Sequence, residues 1–575
     1  MNNIVKIISD DIFKVCAELG IKVNKGEIKL EHPADTQFGD YATSLPMGLA
    51  KSEHKSPNEI AGSIKARLDK IIDKEIIEKV EIAGAGFINF YLKKEFLIKE
   101  AEVLNYELEF KNKLSEVGHG KTLVIDYSAP NIAKPFGIGH LRSTNIGQSL
   151  YNLYKILGWN TIGDNHIGDW GTQFGKLIVA IKRLGSAKQN LDDLTIEDLE
   201  KLYVKFHKEA ETNPELVDEG RDWFSKLENG DKEAKENWQK CIDISFKEYD
   251  QVYELLDVKI DEIHGESFYA NMLPEIIDGI TKKGITKISD GALIIEFDDM
   301  PPAMLRKSNG TTTYLTRDMA TIKYRKEIWN PDMVIYEVGA DQQLHFRQVF
   351  KIAELMGWMP KEGLVHVAHG LIRWPTGKFS TRKGDTIHLS DVIDRAMEKA
   401  EEIANKSQVS KDLSTEEKKE MIKNVAIGAI KFNDLSSDPK RDIVFDWDQV
   451  MSLEGDSGPY LQYTYARCCS VLDKTKIKEQ KNINNSAENL NPEELALLKE
   501  FYKFEEKIIE AATRFSPSVV AEYLINVARK YNEFYGKHRI LDQPEENFRI
   551  FLTKTTSSIL EIGLKLLGIK PIEKM

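Results

Sequence analysis

The sequence predicts an α/β protein in which a Rossmann-like, doubly wound parallel sheet is flanked by a smaller α+β domain and an all-α helical bundle. Between residues 123 and about 446, short apolar runs alternate with stretches of helical periodicity, the pattern of a parallel sheet covered by helices. Hairpin-like runs precede this region, and only helical periodicity follows it. A chain of 575 residues is too long for one core, so we divide it into residues 1–110, 111–454 and 455–575.

The composition is that of a globular protein, with 41% hydrophobic and 30% charged residues. No run of about eighteen apolar residues predicts a membrane helix, and the acids among the first twenty residues argue against a signal peptide. The four cysteines show no metal-ligand spacing, so we expect neither a structural metal nor disulfides. We expect a cytoplasmic protein, and a monomer because the sequence has no heptad repeat.

The net charge of −13 is concentrated in one stretch of the chain. Residues 191–270 contain 23 acidic and 10 basic residues, whereas the rest of the chain carries 69 of each. We interpret residues 190–265 as a solvated helical insertion, because their periodicity is helical and their acids favour one face, and we assign it no chemistry. The neutral remainder is compatible with a nucleic-acid partner, which needs local positive potential.

The first 110 residues predict the small α+β domain. Apolar residues recur at helical spacing from Ile64 to Ile72, and two strand-like runs, 80–82 and 87–92, flank a Gly-Ala-Gly turn. Strand-like runs on both sides of a glycine turn indicate a hairpin.

The central domain begins with a strand and a loop that suit a phosphate. The strand candidates are 123–125, 161–162, 292–296, 333–338 and 364–369. After the first comes a loop, then a helix from about His140. Free N–H groups and the helix dipole favour an anion at such a helix N-terminus, beyond a parallel strand. Gly137 and Gly139 allow close approach of a ligand, and Lys134 and His140 can donate hydrogen bonds to phosphate oxygens.

A second group of residues could bind a planar, forked cation. Tyr314 and Asp318 are four residues apart, which places them on one face of a helix. A planar guanidinium needs a carboxylate in bidentate geometry and a second acceptor, and Asp126 could add a second charge. The alternative for Asp318 is an internal ion pair with Arg317 or Arg325.

Further polar residues could hold the remaining parts of the substrates. Asn131 and Gln342 are placed to bind the polar ends of an amino acid. The glycine-flanked cluster that contains Lys378, Ser380 and Lys383 could wrap a triphosphate and stabilise charge as it shifts toward pyrophosphate. A basic surface turn is the alternative reading of that cluster.

After about residue 455 the pattern predicts a helical bundle, with amphipathic helices at 495–508, 519–527 and 559–567. Aromatic and arginine side chains alternate there, including Tyr463, Arg467, Tyr531 and Arg539. Such pairs suit splayed, single-stranded bases. Aromatics at helical spacing can equally belong to the core.

Taken as strings, these motifs resemble the arginyl-tRNA synthetases, which are class I aminoacyl-tRNA synthetases. In the central domain the resembling stretches are the "HIGH" region 128–144, the strings 165–175, 314–318 and 342–346, and the "KMSKS"-like loop 377–385. In the amino-terminal domain they are 38–42 and 86–89, and in the carboxyl-terminal domain they are 455–463, 531–535 and 563–569. The resemblance covers nearly the whole chain. It implies a first domain that contacts the tRNA elbow and a last domain that binds the anticodon.

The resemblance implies ATP-dependent activation of L-arginine to arginyl-adenylate, with Mg²⁺ accompanying ATP, and transfer to the 3′-terminal adenosine of tRNA-Arg. It also implies the roles of individual residues. These are catalysis by His140, Lys134, Lys378, Ser380 and Lys383; arginine binding by Asp126, Ser128, Asn131, Tyr314, Asp318 and Gln342; ATP binding by Gly137, Gly139, His140, His369, Phe379 and Ser380; and tRNA binding by Tyr463, Arg467, Tyr531 and Arg539.

Three positions depart from the family pattern. Gly137 replaces the first histidine of the signature, Ala129 a usual serine, and Thr381 the second lysine of the basic loop. Two alternatives therefore stay open. A class I synthetase for another amino acid would share the glycine-histidine pair and the basic loop but would have no reason to place Tyr314, Asp318 and Asp126 together. A relative that binds tRNA without catalysis would tolerate the three departures.

Overall fold

The structure is a computed structural model that describes residues 3–185, 193–373, 388–406, 413–477, 483 and 490–575. Its strands are β1 Tyr41–Thr43, β2 Ile77–Ala83, β3 Phe87–Leu92, β4 Thr122–Asp126, β5 Asn160–Asn165, β6 Glu262–Ile263, β7 Lys287–Ser289, β8 Ala292–Ile295, β9 Ala303–Arg306, β10 Met333–Gly339, β11 Leu364–His369, β12 Ile372–Arg373 and β13 Ile443–Val444. Its α-helices are α1 Asn3–Glu18, α2 Leu45–Glu53, α3 Pro57–Ile71, α4 Lys94–Leu104, α5 Glu107–Ser115, α6 Ile138–Ile156, α7 Thr172–Val179, α8 Ile196–Ala210, α9 Glu215–Glu228, α10 Lys232–Leu255, α11 Leu273–Lys282, α12 Tyr314–Trp329, α13 Gln343–Met356, α14 Leu389–Lys406, α15 Thr415–Leu435, α16 Trp447–Val450, α17 Gly458–Lys474, α18 Pro492–Phe501, α19 Phe504–Thr513, α20 Ser518–Lys537 and α21 Glu546–Leu566.

The central domain is built on a five-stranded parallel sheet with the order β11-β10-β4-β5-β6. Its middle strand, β4, has the apolar, buried centre Leu123 to Ile125, and Ile125 lies opposite Ile335 of β10 and Gly163 of β5. The chain therefore extends the sheet in both directions from β4. Such a reversal of strand order opens a crevice at the carboxyl ends of the strands, and the predicted fold class is confirmed.

Two details of the sheet differ from the prediction. The candidate strand at 292–296 is β8, which pairs antiparallel with β7 and β9 in a separate sheet, because a short apolar run shows that a strand is buried but not which sheet it joins. The fifth strand of the parallel sheet is β6, which is two residues long. A strand this short carries no readable periodicity.

The first domain is a three-stranded antiparallel sheet with helices, and the predicted hairpin is present. Strands β2 and β3 pair with Ile82 opposite Ile88. This domain docks on the helical bundle: Lys499 lies 3.2 Å from Asp40, and Nδ2 of Asn105 donates to Oγ1 of Thr555 at 2.9 Å.

One continuous apolar core joins the first domain, the helix after β4 and the bundle. Ile8 of α1, Leu150 of α6 and Leu524 of α20 all belong to it and are fully buried. The rings of Phe110 and Phe504 stack at 5.5 Å where α5 meets α19. The three parts therefore share their interior.

The bundle consists of α17 to α21 and differs from the prediction at one point. The helix expected at 495–508 is two helices, α18 and α19, separated at Tyr502 and Lys503. Phe501 and Phe504 on either side are both fully buried. Their spacing of three fits an unbroken helix, so the periodicity could not reveal the break.

The acidic insertion is helical, as predicted, and comprises α8, α9 and α10. Its helices enclose apolar residues such as Phe206, Leu227 and Cys241, which share a core with the loop after β4. The insertion, which was predicted to be solvated, therefore also has a buried apolar face against this loop. None of the helices in the described ranges combines the length and apolarity needed to cross a membrane.

Candidate active site

The loop between β4 and α6, residues 127–137 and here called the signature loop, has an unusual backbone. Ser128, Ala129 and Ala133 have φ angles of +73°, +41° and +62°. L-residues with a side chain avoid this left-handed region, and such residues persist only where their surroundings impose the conformation. Three of them in one loop indicate a shape that is set by its neighbours.

Ser128 uses its polar groups inside the protein. Its N–H donates to Oγ of Ser143 at 2.9 Å, its hydroxyl lies 2.8 Å from that of Tyr253, and Oγ1 of Thr144 donates to it at 2.9 Å. The residue is buried. Its hydroxyl therefore takes part in shaping the loop, and its contact with an amino acid stays a prediction.

Helix α6 begins at Ile138, and its first turn presents His140 as a neutral donor. The N–H of Gly137 donates to Nδ1 of His140 at 3.2 Å, which leaves the ring proton on Nε2. Burial, together with the positive charge of Lys134, lowers the pKa of His140 to about 4. Lys134 and Gly139 are exposed beside it, so the predicted phosphate donors lie together.

Asp126 does not face solvent as a free carboxylate. Its Oδ2 accepts from Arg325 at 2.9 Å, and the same guanidinium lies 2.8 Å from Asp164. All three side chains are buried, and burial raises the pKa of Asp126 although Arg325 opposes the shift. The charge of Asp126 is therefore balanced by Arg325, and its contact with a substrate cation stays a prediction.

Tyr314 and Asp318 lie on the first turns of α12, as their spacing predicts. Oδ2 of Asp318 lies 2.5 Å from Nε2 of His345. Of the two arginines named in the alternative, Arg317 pairs with Glu266 and Arg325 with Asp126 and Asp164. Tyr314 is 60% exposed. Burial is the main cause that raises the pKa of Tyr336, and the charges of Asp126 and Asp318 raise it further, although Arg325 opposes the shift. The two carboxylates therefore both lie near the ring of Tyr336 in β10.

The structure adds a carboxylate that the sequence reasoning missed. Glu266 begins a 3-10 helix directly after β6, and its Oε2 lies 3.2 Å from Arg317. Burial, followed by the negative charges of Asp318 and Asp169, raises the pKa of Glu266 to about 7, although Arg317 opposes the shift. The available signal was a polar residue at the carboxyl end of a strand, but β6 was too short to recognise.

The remaining predicted residues in the described ranges lie as follows. Asn131 and Gln342 are exposed, and Asn131 pairs with Gly168 in a parallel bridge. His369 ends β11 opposite Gly339, and its Nδ1 lies 2.8 Å from Oε1 of Glu337. Burial favours the neutral ring, but the charge of Glu337 outweighs it and raises the pKa of His369.

The basic cluster with Lys378, Phe379, Ser380 and Lys383 lies outside the described residues. The chain after it returns to the signature loop. His388 forms an antiparallel bridge with Gly137, and the N–H of Leu389 donates to the carbonyl of Phe136 at 3.1 Å.

In the bundle, the arginine and aromatic residues divide into a surface set and a core residue. The guanidinium of Arg467 lies 4.7 Å from the ring of Tyr463 and 4.9 Å from that of Tyr535. Arg539 is exposed beside Asp542. Tyr531 is fully buried, and its role in binding RNA stays a prediction. Within the ranges that the structure covers, no group of histidine, cysteine and acidic residues could hold a metal ion.

Three family models match successive parts of the chain. Residues 103–447 match the family described as "tRNA synthetases class I (R), catalytic domain". Residues 461–575 match the "DALR anticodon binding domain", and residues 2–92 match the "Arginyl tRNA synthetase N terminal domain".

Individual relatives agree with these matches. The arginine–tRNA ligase of Halothermothrix orenii is 40% identical over 96% of this chain and 97% of its own, and that of Clostridium perfringens is 40% identical over 98% of each. Among solved structures, the arginyl-tRNA synthetase of Plasmodium falciparum is similar with a TM-score of 0.82 at 25% identity, over 100% of both chains. That of Thermus thermophilus has a TM-score of 0.84 at 24% identity, over 99% of this chain and 100% of its own. The chain therefore belongs to the arginyl-tRNA synthetases, a family of class I tRNA synthetases.

Proposed function

We propose that this chain joins L-arginine to tRNA-Arg in two steps. The carboxylate of arginine attacks the α-phosphorus of ATP, which forms arginyl-adenylate and releases pyrophosphate. The arginyl group then passes to the 3′-terminal adenosine of the tRNA, and AMP leaves. One observation carries the proposal: the signature loop after β4 and Glu266 after β6 follow strands of one parallel sheet, and the charge of Asp318 acts on Glu266.

The loop residues supply the nucleotide side of the site. The exposed Lys134 and the Nε2–H of the neutral His140 donate to phosphate oxygens at the N-terminus of α6, and Gly137 and Gly139 let the nucleotide approach the backbone. His369 at the end of β11 adds a donor. Because the attacking group is the substrate's own carboxylate, the protein needs no nucleophile and works by position and charge.

The basic cluster with Lys378, Phe379, Ser380 and Lys383 belongs to this proposal as a triphosphate-binding segment. Support comes from His388, which joins the signature loop at Gly137. Mg²⁺ enters as the salt of ATP, held by the phosphates, as is usual for this ion.

The amino-acid side of the site selects a guanidinium. Asp318 is held by His345, and Glu266 lies beside it with Tyr314 at the rim. A buried carboxylate that lost its guanidinium partner would be strongly penalised, so lysine and neutral amino acids are rejected. Asn131 and Gln342, both exposed, would hold the polar ends of the substrate.

The tRNA contacts belong to the two flanking domains. Arg467 with Tyr463 and Tyr535 presents a cation between aromatic faces, an arrangement that suits stacked single-stranded bases. Arg539 follows Tyr535 by four residues. A cytoplasmic location and a monomeric state remain predictions of the sequence.

Exchange of radioactive pyrophosphate into ATP tests the proposal. We expect exchange with L-arginine in the presence of tRNA-Arg, and transfer of arginine to that tRNA. Exchange with another amino acid would instead favour a synthetase of different specificity. Binding of tRNA without any exchange would favour the non-catalytic alternative, in which Gly137, Ala129 and Thr381 mark lost function.

A further inference from the structure

Helix α10 of the acidic insertion contacts the signature loop with one side of its surface. Ser245, Tyr249 and Tyr253 follow one another at intervals of four residues, and Glu248 lies three residues after Ser245, so all four lie on one side of the helix. Each makes a hydrogen bond to a residue between 128 and 136. The insertion was expected to be solvated, and no residue of this face entered the proposed reaction.

The bonds are directed at backbone groups of the loop. The N–H of Ala133, which has the left-handed φ of +62°, donates to Oγ of Ser245 at 2.9 Å. The N–H of Phe136 donates to Oε1 of Glu248 at 2.9 Å. The hydroxyl of Tyr249 lies 2.6 Å from the carbonyl of Asn131 and 3.0 Å from that of Lys134.

Tyr253 extends this contact to the start of the loop. Its hydroxyl lies 2.8 Å from that of Ser128, which also has a left-handed backbone, and accepts from Nδ2 of Asn165 at 3.0 Å. Ser245 and Tyr249 are fully buried. Their hydrogen bonds are therefore shielded from water and are more directional than surface contacts.

We infer that α10 positions the nucleotide-binding loop, with Ser245, Glu248 and Tyr249 as positioning residues. Without the hydrogen bond to Ser245, Ala133 would leave the left-handed region, and the carbonyl of Lys134 would turn with it. The Lys134 side chain and the first turn of α6 would then move relative to each other. A displacement of about 1 Å in a reacting group can cost up to about a hundredfold in rate, so these contacts bear on catalysis without touching substrate.

The inference rests on the proposed function for its activity test, and Glu248 offers the sharpest version. Glu248→Gln keeps an oxygen that accepts from Phe136, whereas Glu248→Ala removes the acceptor. A positioning role predicts that the alanine variant raises KM for ATP about tenfold and that the glutamine variant stays within twofold of wild type. A role for the negative charge itself would make both variants alike and would overturn the inference.

Tyr249→Phe has a matched control in the bundle. The buried hydroxyl of Tyr523 donates to the carbonyl of Glu500 at 3.0 Å, far along the chain from the loop, so Tyr523→Phe loses a bond of the same kind. We expect Tyr249→Phe to raise KM for ATP about tenfold, and Tyr523→Phe to leave it unchanged at a similar loss of thermal stability. Equal effects of both variants, or no effect of either, would overturn the inference.

A direct binding measurement separates this inference from the proposed function. Titration calorimetry with a non-hydrolysable ATP analogue, without amino acid or tRNA, reports the loop alone. If the wild-type chain binds the analogue but fails to activate arginine, the proposed function is wrong while the role of α10 is still decided by the affinities of Tyr249→Phe and Glu248→Ala. Unchanged affinities in both folded variants would refute the role of α10.

Discussion

Oδ2 of Asp318 lies 2.5 Å from Nε2 of His345, so the carboxylate on α12 is fixed by a side chain of α13. This bond uses one oxygen of a carboxylate that is only partly buried. A carboxylate with a fixed orientation is what recognition of a planar guanidinium requires.

Asp318→Ala should reduce arginine-dependent pyrophosphate exchange by roughly a hundredfold to several thousandfold, because the guanidinium of bound arginine would lose its carboxylate partner at a cost of roughly 3–5 kcal/mol. The affinity for tRNA should stay within about twofold of wild type. Glu327→Ala, which removes an exposed acid from the same helix, serves as the control and should leave both unchanged. Equal loss of exchange and tRNA binding in Asp318→Ala would mean that the amino-acid pocket lies elsewhere.

The KM for arginine should depend on pH through Glu266, whose pKa is raised to about 7. Below this pH the carboxyl is mostly protonated, and its proton must leave before it can stabilise a guanidinium. We therefore expect KM for arginine to fall severalfold between pH 6 and pH 8, with little change in KM for ATP. Glu266→Gln should flatten the profile, and a flat profile in the wild-type enzyme would contradict this assignment.

His140 should stay neutral across the working pH range, because burial and Lys134 lower its pKa to about 4. Its ¹⁵N NMR signals should report a proton on Nε2 and should not titrate between pH 5.5 and pH 8. The His140→Gln variant identifies the signals by their absence. Protonation of the ring within that range would show that it binds phosphate as a cation.

Lys431 should stabilise the junction of the insertion and the bundle. It is fully buried in α15 and donates to the carbonyls of Leu256, after α10, and Gly568, after α21. Lys431→Met leaves both carbonyls without this donor, so we expect a loss of about 2–4 kcal/mol in the free energy of unfolding. Lys419→Met, at an exposed position of the same helix, should cost little.

The same pair of variants carries a test by pH. Burial lowers the pKa of Lys431 to about 8, below its value in the unfolded chain. Above pH 8 the folded protein has therefore released a proton that the unfolded chain still holds, and stability contributed by this residue rises with pH. The difference in unfolding free energy between wild type and Lys431→Met should grow from pH 7.5 to pH 9.5. A constant difference would show that the lysine stays charged in the folded protein throughout this range.

The sequence could predict what depends on local pattern. Strand β4, the start of α6 and the pairing of Tyr314 with Asp318 on one helix face follow from apolar runs and spacing alone. The partners of buried charges could not be predicted in this way. Arg325 pairs with Asp126 and Asp164, residues about 200 and 160 positions away along the chain, and only the folded sheet decides that choice.

The role of the acidic insertion was hidden for a related reason. Ser245 and Tyr249 look in sequence like ordinary residues of an amphipathic helix, and their partners are backbone groups, which carry no sequence signal. Tyr531 is the converse case, in which the sequence pattern suggests a functional role and the side chain is buried. It stands among arginines in a pattern typical of RNA binding, yet the bundle places it in the core.

The shared interior of the first domain, α6 and the bundle has a mechanical consequence. Apolar side chains from all three pack into one core. The distance between the Arg467 surface and the first turn of α6 is therefore set by this packing. A nucleic acid of the wrong length or bend would have to deform itself to reach both points. Selection among tRNAs would then be partly a measurement of shape, made by a rigid frame before any base is read.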